Sequence, residues 1–139
     1  MKKIMLIVML TLVMAGAALA GATPTPRKIM DSQTISASGA YTSTVITLKN
    51  LDGVFALQAT VSGDGTVKFE FLGSINSTDF VEAENADDIL SGITKTSGPD
   101  SNGKVFIQFT PDFSYQGKIR VTETGGANSA TVSAWLLKK

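Results

Sequence analysis

The chain has 139 residues with 12 basic and 12 acidic side chains, and it contains neither histidine nor cysteine. The lack of cysteine excludes disulfides and thiolate chemistry, and the lack of histidine removes the commonest general base and zinc ligand. The balanced charge provides no basic stripe for nucleic acid and no polybasic patch for anionic lipid.

The first 20 residues have the layout of a secretory signal peptide. Lys2 and Lys3 precede an apolar run over residues 4–14, and small residues follow, with Ala18 and Ala20 placed for cleavage after residue 20. The run is shorter than the roughly 20 apolar residues that span a bilayer, so we expect no membrane span after cleavage. Removing two lysines leaves 10 basic and 12 acidic residues, a formal charge of −2. We expect a secreted, extracellular or cell-surface protein, with the periplasm also open.

Residues 21–28, GATPTPRK, predict a flexible tether, and residues 29–139 predict one β-sandwich domain. Beyond the tether, alternating apolar residues between turn formers predict eight strands. They span residues 33–38, 42–49, 54–62, 66–72, 89–94, 104–110, 117–123 and 129–137. The last two strands are predicted to form a closing hairpin around Gly-Gly-Ala-Asn. This spacing indicates a single antiparallel sandwich or barrel.

Alternation also predicts which side chains face the core. In the segment TVKFEF, Val67, Phe69 and Phe71 share the inward face, and Lys68 and Glu70 share the outward face. The same rule places the following residues inward: Phe55, Leu57, Ala59, Val61, Val105, Ile107, Phe109, Ile119, Val121, Val132, Ala134 and Leu136.

Three aromatic residues are candidates for an interaction surface: Trp135, Phe106 and Tyr115. Trp135 is the only tryptophan, and alternation places it on the outer face beside Thr131 and Ser133. Phe106 has the same position in its strand. Exposed aromatic rings suit stacking on sugars or contact with a protein. The alternative is that the rim of the sandwich or the N-terminal segment covers them.

Acidic loop residues raise the possibility of a calcium site, because carboxylates are hard oxygen ligands. They are Glu82, Glu84, Asp87 and Asp88, with Asp100 and Asn102 in a second loop. Neither loop has the spacing of an EF-hand. The alternative is a solvated loop with turn-forming residues. We expect no metal and no cofactor.

Two glutamates in strands, Glu70 and Glu123, could serve glycoside hydrolysis if they faced one another. The short chain has no cleft-forming insertions and no histidine to support such a site. We therefore expect no catalytic residues and no enzymatic activity.

Two longer segments carry a resemblance to known proteins. They are FALQATVSGDGTVKFEFLGSINSTDFVE, residues 55–82, and GKIRVTETGGANSATVSAWL, residues 117–136. Together they resemble small all-β proteins encoded among phage and prophage structural genes, and related exported bacterial proteins. The resemblance covers most of the chain after the signal peptide. It implies a jelly-roll-like sandwich with a structural role.

The sequence favours an exported, non-catalytic structural subunit of an extracellular or cell-surface assembly. Its expected partner is a second copy of itself, in a homo-oligomer or filament. One mechanism would have the tethered strand at residues 33–38 pair with the open edge of a neighbour. The alternative function is a glycan-binding module that uses the exposed aromatic residues.

Overall fold

The computed structural model describes residues 24–48, 53–112 and 114–138, and these form nine β-strands in two antiparallel sheets. The predicted signal peptide lies outside the described residues, as do residues 21–23 of the predicted tether. The strands are β1 Arg27–Ile35, β2 Ala40–Thr42, β3 Ile46–Thr47, β4 Phe55–Gly63, β5 Val67–Ser74, β6 Leu90–Ile93, β7 Lys104–Phe109, β8 Gln116–Glu123 and β9 Ala130–Lys138. Among the described residues, no helix is long and apolar enough to cross a membrane.

The order of the strands is that of a jelly roll. The first sheet has the order β1-β9-β4-β7, and the second has the order β2-β8-β5-β6, with β3 also paired to β8. If β2 and β3 count as one interrupted strand, each sheet has four strand positions. The chain then crosses between sheets in the double Greek-key pattern. The predicted all-β sandwich is confirmed, with nine strands instead of eight.

The extra strand arises because the prediction of one strand over residues 42–49 was wrong. At Ser43 the side chain replaces part of the backbone ladder. The backbone N–H of Ser43 donates to the Ile119 carbonyl at 2.9 Å, and the Ile119 N–H donates to the Ser43 hydroxyl at 3.0 Å. This hydroxyl contact interrupts the pairing with β8 between Thr42 and Ile46.

The first strand also begins earlier than predicted, at Arg27 instead of Gln33. It ends at Ile35, where a turn follows and the Gly39 N–H donates to the Ser36 carbonyl at 2.8 Å. Ile29 and Met30 are buried, which explains why the strand extends into residues that precede the predicted boundary. Arg27 and Lys28, assigned to the tether by composition, are therefore the first residues of β1.

The predicted closing hairpin is wrong. Strands β8 and β9 follow one another in the chain, but β8 lies at the centre of the second sheet and β9 at the centre of the first. The connection between them crosses the end of the sandwich. It is held there partly by the Gly65 N–H, which donates to the Ser129 carbonyl at 2.9 Å.

The core lies between the two sheets and contains the residues that alternation placed inward. Fully buried members from both sheets are Phe55, Leu57, Ala59, Val67, Phe69, Ile119, Val121, Val132 and Ala134. Ile107 and Phe109 are only partly buried because β7 is at the edge of its sheet. Phe109 still reaches the core, with its ring centroid 5.7 Å from that of Phe55 in an edge-on arrangement.

Candidate functional site

The outer face of the first sheet brings two of the three predicted aromatic residues into one row. Strand register places Lys28 opposite Trp135, Trp135 opposite Gln58, and Gln58 opposite Phe106. We call Lys28, Trp135, Gln58 and Phe106 the outer row. Neighbouring strands lie about 4.8 Å apart, so the two aromatic residues are separated by about 10 Å across one glutamine.

Trp135 lies outside the core, as alternation predicted, but its ring is half-buried. The ammonium group of Lys28 sits 5.2 Å from the ring centroid, within the range of a cation–π contact. The same ammonium forms an ion pair with Asp31 in β1. The N-terminal strand therefore covers part of Trp135, which is one of the two alternatives that the sequence left open.

Phe106 is different, because 65% of its surface is exposed. It lies in the middle of β7, with exposed Lys104 and Gln108 on the same face. The neighbours Val105 and Ile107 face the core side of the strand. Phe106 is therefore a large apolar side chain that the described part of the chain leaves mostly exposed.

Tyr115 does not join the outer row. It is 41% exposed and precedes β8 in the second sheet. Its backbone N–H donates to the Ser74 carbonyl at 2.9 Å, and its carbonyl accepts from the Leu48 N–H at 3.1 Å. The predicted surface thus divides into the outer row on one sheet and a separate tyrosine on the other.

The outer face of the second sheet carries a network of ion pairs around Glu70. Arg120 binds this carboxylate in a bidentate manner, with its Nε and Nη2 atoms at 2.7 and 2.8 Å from the two oxygens. Lys68 lies at 2.7 Å and the Thr122 hydroxyl at 3.0 Å. These donors, Arg120 first, hold the pKa of the Glu70 carboxyl at about 2. Glu70 is 1% exposed although it points away from the core.

The loop between β5 and β6 covers this network. Glu82 reaches back to Arg120 at 2.9 Å, and Asp88 reaches Lys68 at 3.2 Å. Burial and the nearby charge of Glu70 raise the pKa of Glu82. The loop is therefore fastened to the sheet at two points, which explains how an outward-facing glutamate becomes buried.

The same carboxylates bear on the calcium hypothesis. Oxygens of Glu70, Glu82 and Asp88 lie within 4.8 Å of one another. Lys68 and Arg120 already bind these three groups, so the arrangement is that of an ion-pair network. Of the predicted acidic residues, Glu84 and Asp87 do not join this cluster. In the second loop, the Asn102 side chain accepts from the Lys104 N–H at 3.1 Å and so holds a turn.

Glu70 and Glu123 do not face one another, so the hypothesis of a paired-carboxylate site is wrong. Glu70 pairs in register with Arg120 on the outer face, and Glu123 pairs with Val67, whose side chain is in the core. Residues on the two faces of a sheet point in opposite directions, so one substrate cannot contact both carboxylates.

Glu123 instead organises three connections at one end of the sandwich. Its Oε1 accepts from the backbone N–H groups of Thr66 and Gly125, at 3.1 and 2.8 Å. Its Oε2 accepts from those of Ser38 and Gly126, both at 2.9 Å. These four donors, Ser38 and Gly126 first, lower the pKa of Glu123 to about 2. The sequence analysis did not predict that Glu123 binds backbone N–H groups of these connections. The one signal for it in the sequence was a glutamate two residues before Gly125-Gly126.

A cleft of about 370 Å³ lies at one end of the second sheet, beside the last residues of β5. Its lining includes Asn76, Asp79, Asp112 and Ser114, together with the exposed side chains of Ile75 and Val81. Asn76 uses its side chain to hold the loop itself, accepting from the N–H groups of Thr78 and Asp79, each at 2.9 Å. None of the predicted aromatic candidates lines this cleft.

Comparison with known proteins found structural similarities but no family. No family model matches the chain, and no curated protein matches it significantly. Among solved structures, it is similar to PliG, a periplasmic inhibitor of g-type lysozyme from Aeromonas hydrophila. That match has 12% identity and a TM-score of 0.41, and it covers 86% of this chain and 89% of the other.

Two further solved structures are similar at equally low sequence identity and TM-score. A carbohydrate-binding module of Cellvibrio mixtus lichenase 5A, solved with cellotriose, matches at 15% identity with a TM-score of 0.42, covering 85% of this chain and 88% of the module. A structure of infectious bursal disease virus matches at 11% identity with a TM-score of 0.38, covering 84% of this chain and 32% of the viral chain. TM-scores this low carry no argument about fold or function. The fold itself is established by the strand pairing described above.

Proposed function

We propose that this protein is an exported, non-catalytic structural subunit that self-associates in an extracellular or cell-surface assembly. The observation that carries the proposal is Phe106, which is 65% exposed at the middle of β7, an edge strand of the first sheet. An exposed apolar side chain on a strand edge that no other described strand pairs with favours association with another strand.

Two features of the sequence support the location and the kind of role. The first 20 residues have the layout of a signal peptide, which favours export. The resemblance of residues 55–82 and 117–136 to small phage and prophage structural proteins favours a subunit over an enzyme. A non-catalytic role is further supported by the two buried glutamates, which the fold itself engages on opposite faces of the second sheet.

The test measures molar mass by size-exclusion chromatography with light scattering, over a range of concentrations, on protein purified from cells that express the full-length chain. We expect dimers or larger species that dissociate on dilution. Phe106→Lys should weaken association by about tenfold or more, because it places a charge in the contact. Gln58→Lys is the matched control, since Gln58 is exposed in the same row but on a central strand. A monomer at every concentration contradicts the proposal.

The second candidate function is glycan binding, and the outer row favours it. Two aromatic residues flank an exposed amide on one sheet face, with Lys28 at one end of the row. Aromatic rings stack on the apolar faces of sugars, and amide and ammonium groups can hydrogen-bond to their hydroxyls. Lys28 must move off the Trp135 ring for stacking to occur.

A glycan array with the purified protein tests this second function. We expect binding that Trp135→Ala and Phe106→Ala each reduce, whereas Tyr115→Ala leaves it unchanged because Tyr115 lies on the other sheet. An array without hits, or with hits that none of these substitutions changes, contradicts glycan binding through the outer row.

A further inference from the structure

Strand β7 differs from the other sheet edges in the described part of the chain. It has six residues in continuous register with β4, from Lys104 opposite Thr60 to Phe109 opposite Phe55. No described strand pairs with its other side. In an edge strand, alternate N–H and C=O groups point away from the sheet and can pair with another chain.

The opposite edge of the same sheet, β1, is protected. Its register with β9 shifts twice, between Lys28 and Met30 and between Met30 and Gln33. Ser32 has a positive φ of 48°, and Lys28 and Asp31 place two charges on the strand. Bulges and charges of this kind are how natural proteins prevent pairing at an edge.

The edges of the second sheet are shorter. Strands β2 and β3 have three and two residues. Strand β6 has four residues, pairs irregularly with β5 and contains Gly92 at a φ of 70°. Among the described strands, β7 is therefore the edge that is both long and regular.

We propose that β7 pairs antiparallel with β7 of a second copy of this chain, about a two-fold axis that passes through Phe106. The two four-stranded sheets then form one continuous sheet of eight strands. This inference rests on the proposed self-association and names its geometry. A two-fold contact closes on itself, so the product is a dimer, and any larger assembly uses a second surface.

The register follows from the faces of the strand. Residues directly opposite one another in an antiparallel pair lie on the same face of the sheet. The two-fold axis must therefore lie at one residue position, because an axis between two consecutive residues would place an outward side chain opposite an inward one. With the axis at Phe106, the two phenylalanines face each other, Val105 faces Ile107 of the second copy, and Lys104 faces Gln108 of the second copy. The pair on the core face, Val105 with Ile107, is apolar. The pairs on the outer face contain no like charges.

Charge is compatible with this pairing because Lys104 is the only ionic residue in β7. In the proposed dimer the two Lys104 residues lie at opposite ends of the paired segment, about 14 Å apart along the strands. A two-fold axis at Ile107 would also place residues of the same sheet face opposite one another, but it would pair Phe106 with Gln108 of the second copy. The axis at Phe106 instead buries the most exposed phenylalanine of the described residues against its own copy.

Single cysteines test the register directly, because the native chain contains none. With a short bifunctional thiol reagent, Phe106→Cys should give a cross-linked dimer as the main product, since directly opposite Cβ atoms in an antiparallel pair lie about 4.5–5.5 Å apart. Lys104→Cys alone should give none, whereas a mixture of Lys104→Cys and Gln108→Cys should give the mixed dimer. Gln58→Cys, in the same row on a central strand, is the matched control and should remain monomeric on a denaturing gel.

The outcomes separate this inference from the function on which it rests. Dimers by light scattering without a Phe106→Cys crosslink, or with a crosslink through Ile107→Cys instead, overturn the register but leave self-association intact. A monomer without crosslinks overturns both.

Discussion

Neutralising Glu70 tests whether the ion-pair network on the second sheet stabilises the fold. Glu70→Gln keeps the shape of the side chain but removes the charge that Arg120 and Lys68 bind. The pKa of this carboxyl is about 2 in the fold and 4.5 ordinarily, a difference equal to about 3 kcal/mol at about 1.4 kcal/mol per unit. The side chains of Arg120 and Lys68 are 33% and 29% exposed, so water screens them, and we expect a loss of about 2 kcal/mol.

The pH dependence has a definite sign. Because the pKa of Glu70 is lower in the folded than in the unfolded chain, its stabilisation is complete above pH 4.5 and is lost as the pH falls toward 2. The difference in free energy of unfolding between the native protein and Glu70→Gln should therefore shrink from about 2 kcal/mol at about pH 7 to about 1 kcal/mol or less at about pH 3.

Urea unfolding at the two pH values, followed by the fluorescence of Trp135, measures this difference. Glu82→Gln is the matched control from the same network. Its pKa is raised in the fold, so removing its charge should not destabilise the protein in the same way. A Glu70→Gln variant within about 0.5 kcal/mol of the native protein at both pH values would refute the reasoning, because surface substitutions typically stay in that range.

Two further predictions concern the end of the sandwich and its core. Glu123→Gln should lower the midpoint of thermal unfolding measured by circular dichroism, because an amide NH₂ replaces one oxygen that accepts two backbone N–H groups. The effect should diminish as the pH falls toward 2, and Glu84→Gln should show none; equal midpoints for the two variants would contradict this role. Phe69→Ala should cost about 3–5 kcal/mol in urea unfolding, since Phe69 is fully buried. At a protein concentration at which the chain is monomeric, Phe106→Ala should change stability by about 0.5 kcal/mol or less, and similar losses for the two variants would contradict the assigned faces.

Alternation predicted the sides of the strands because a period of two follows from strand geometry alone. Val67, Phe69 and Phe71 lie in the core, and Lys68 and Glu70 lie on the outer face, as expected. Alternation does not indicate which sheet a strand joins. For that reason the closing strands were predicted to be a hairpin, although β8 and β9 belong to different sheets.

The sequence could not predict features that depend on contacts between residues far apart in the chain. The outer row requires the register of strands separated by up to about a hundred positions, from Lys28 in β1 to Trp135 in β9. The burial of Glu70 depends on a loop that folds back over the sheet through Glu82 and Asp88. Alternation identified Trp135 and Phe106 as candidates, but only the pairing through Gln58 places them in one line.

The position of β9 has a consequence for when the chain can fold. Of the described strands it is the last to be synthesised, yet it lies between β1 and β4 in the first sheet. Until residues 130–138 have left the ribosome, β1 has no partner and β4 lacks one of its two neighbours. The nascent chain therefore cannot complete this sheet before those residues emerge. Until then, β1 and β4 each keep an open side that β9 will later fill.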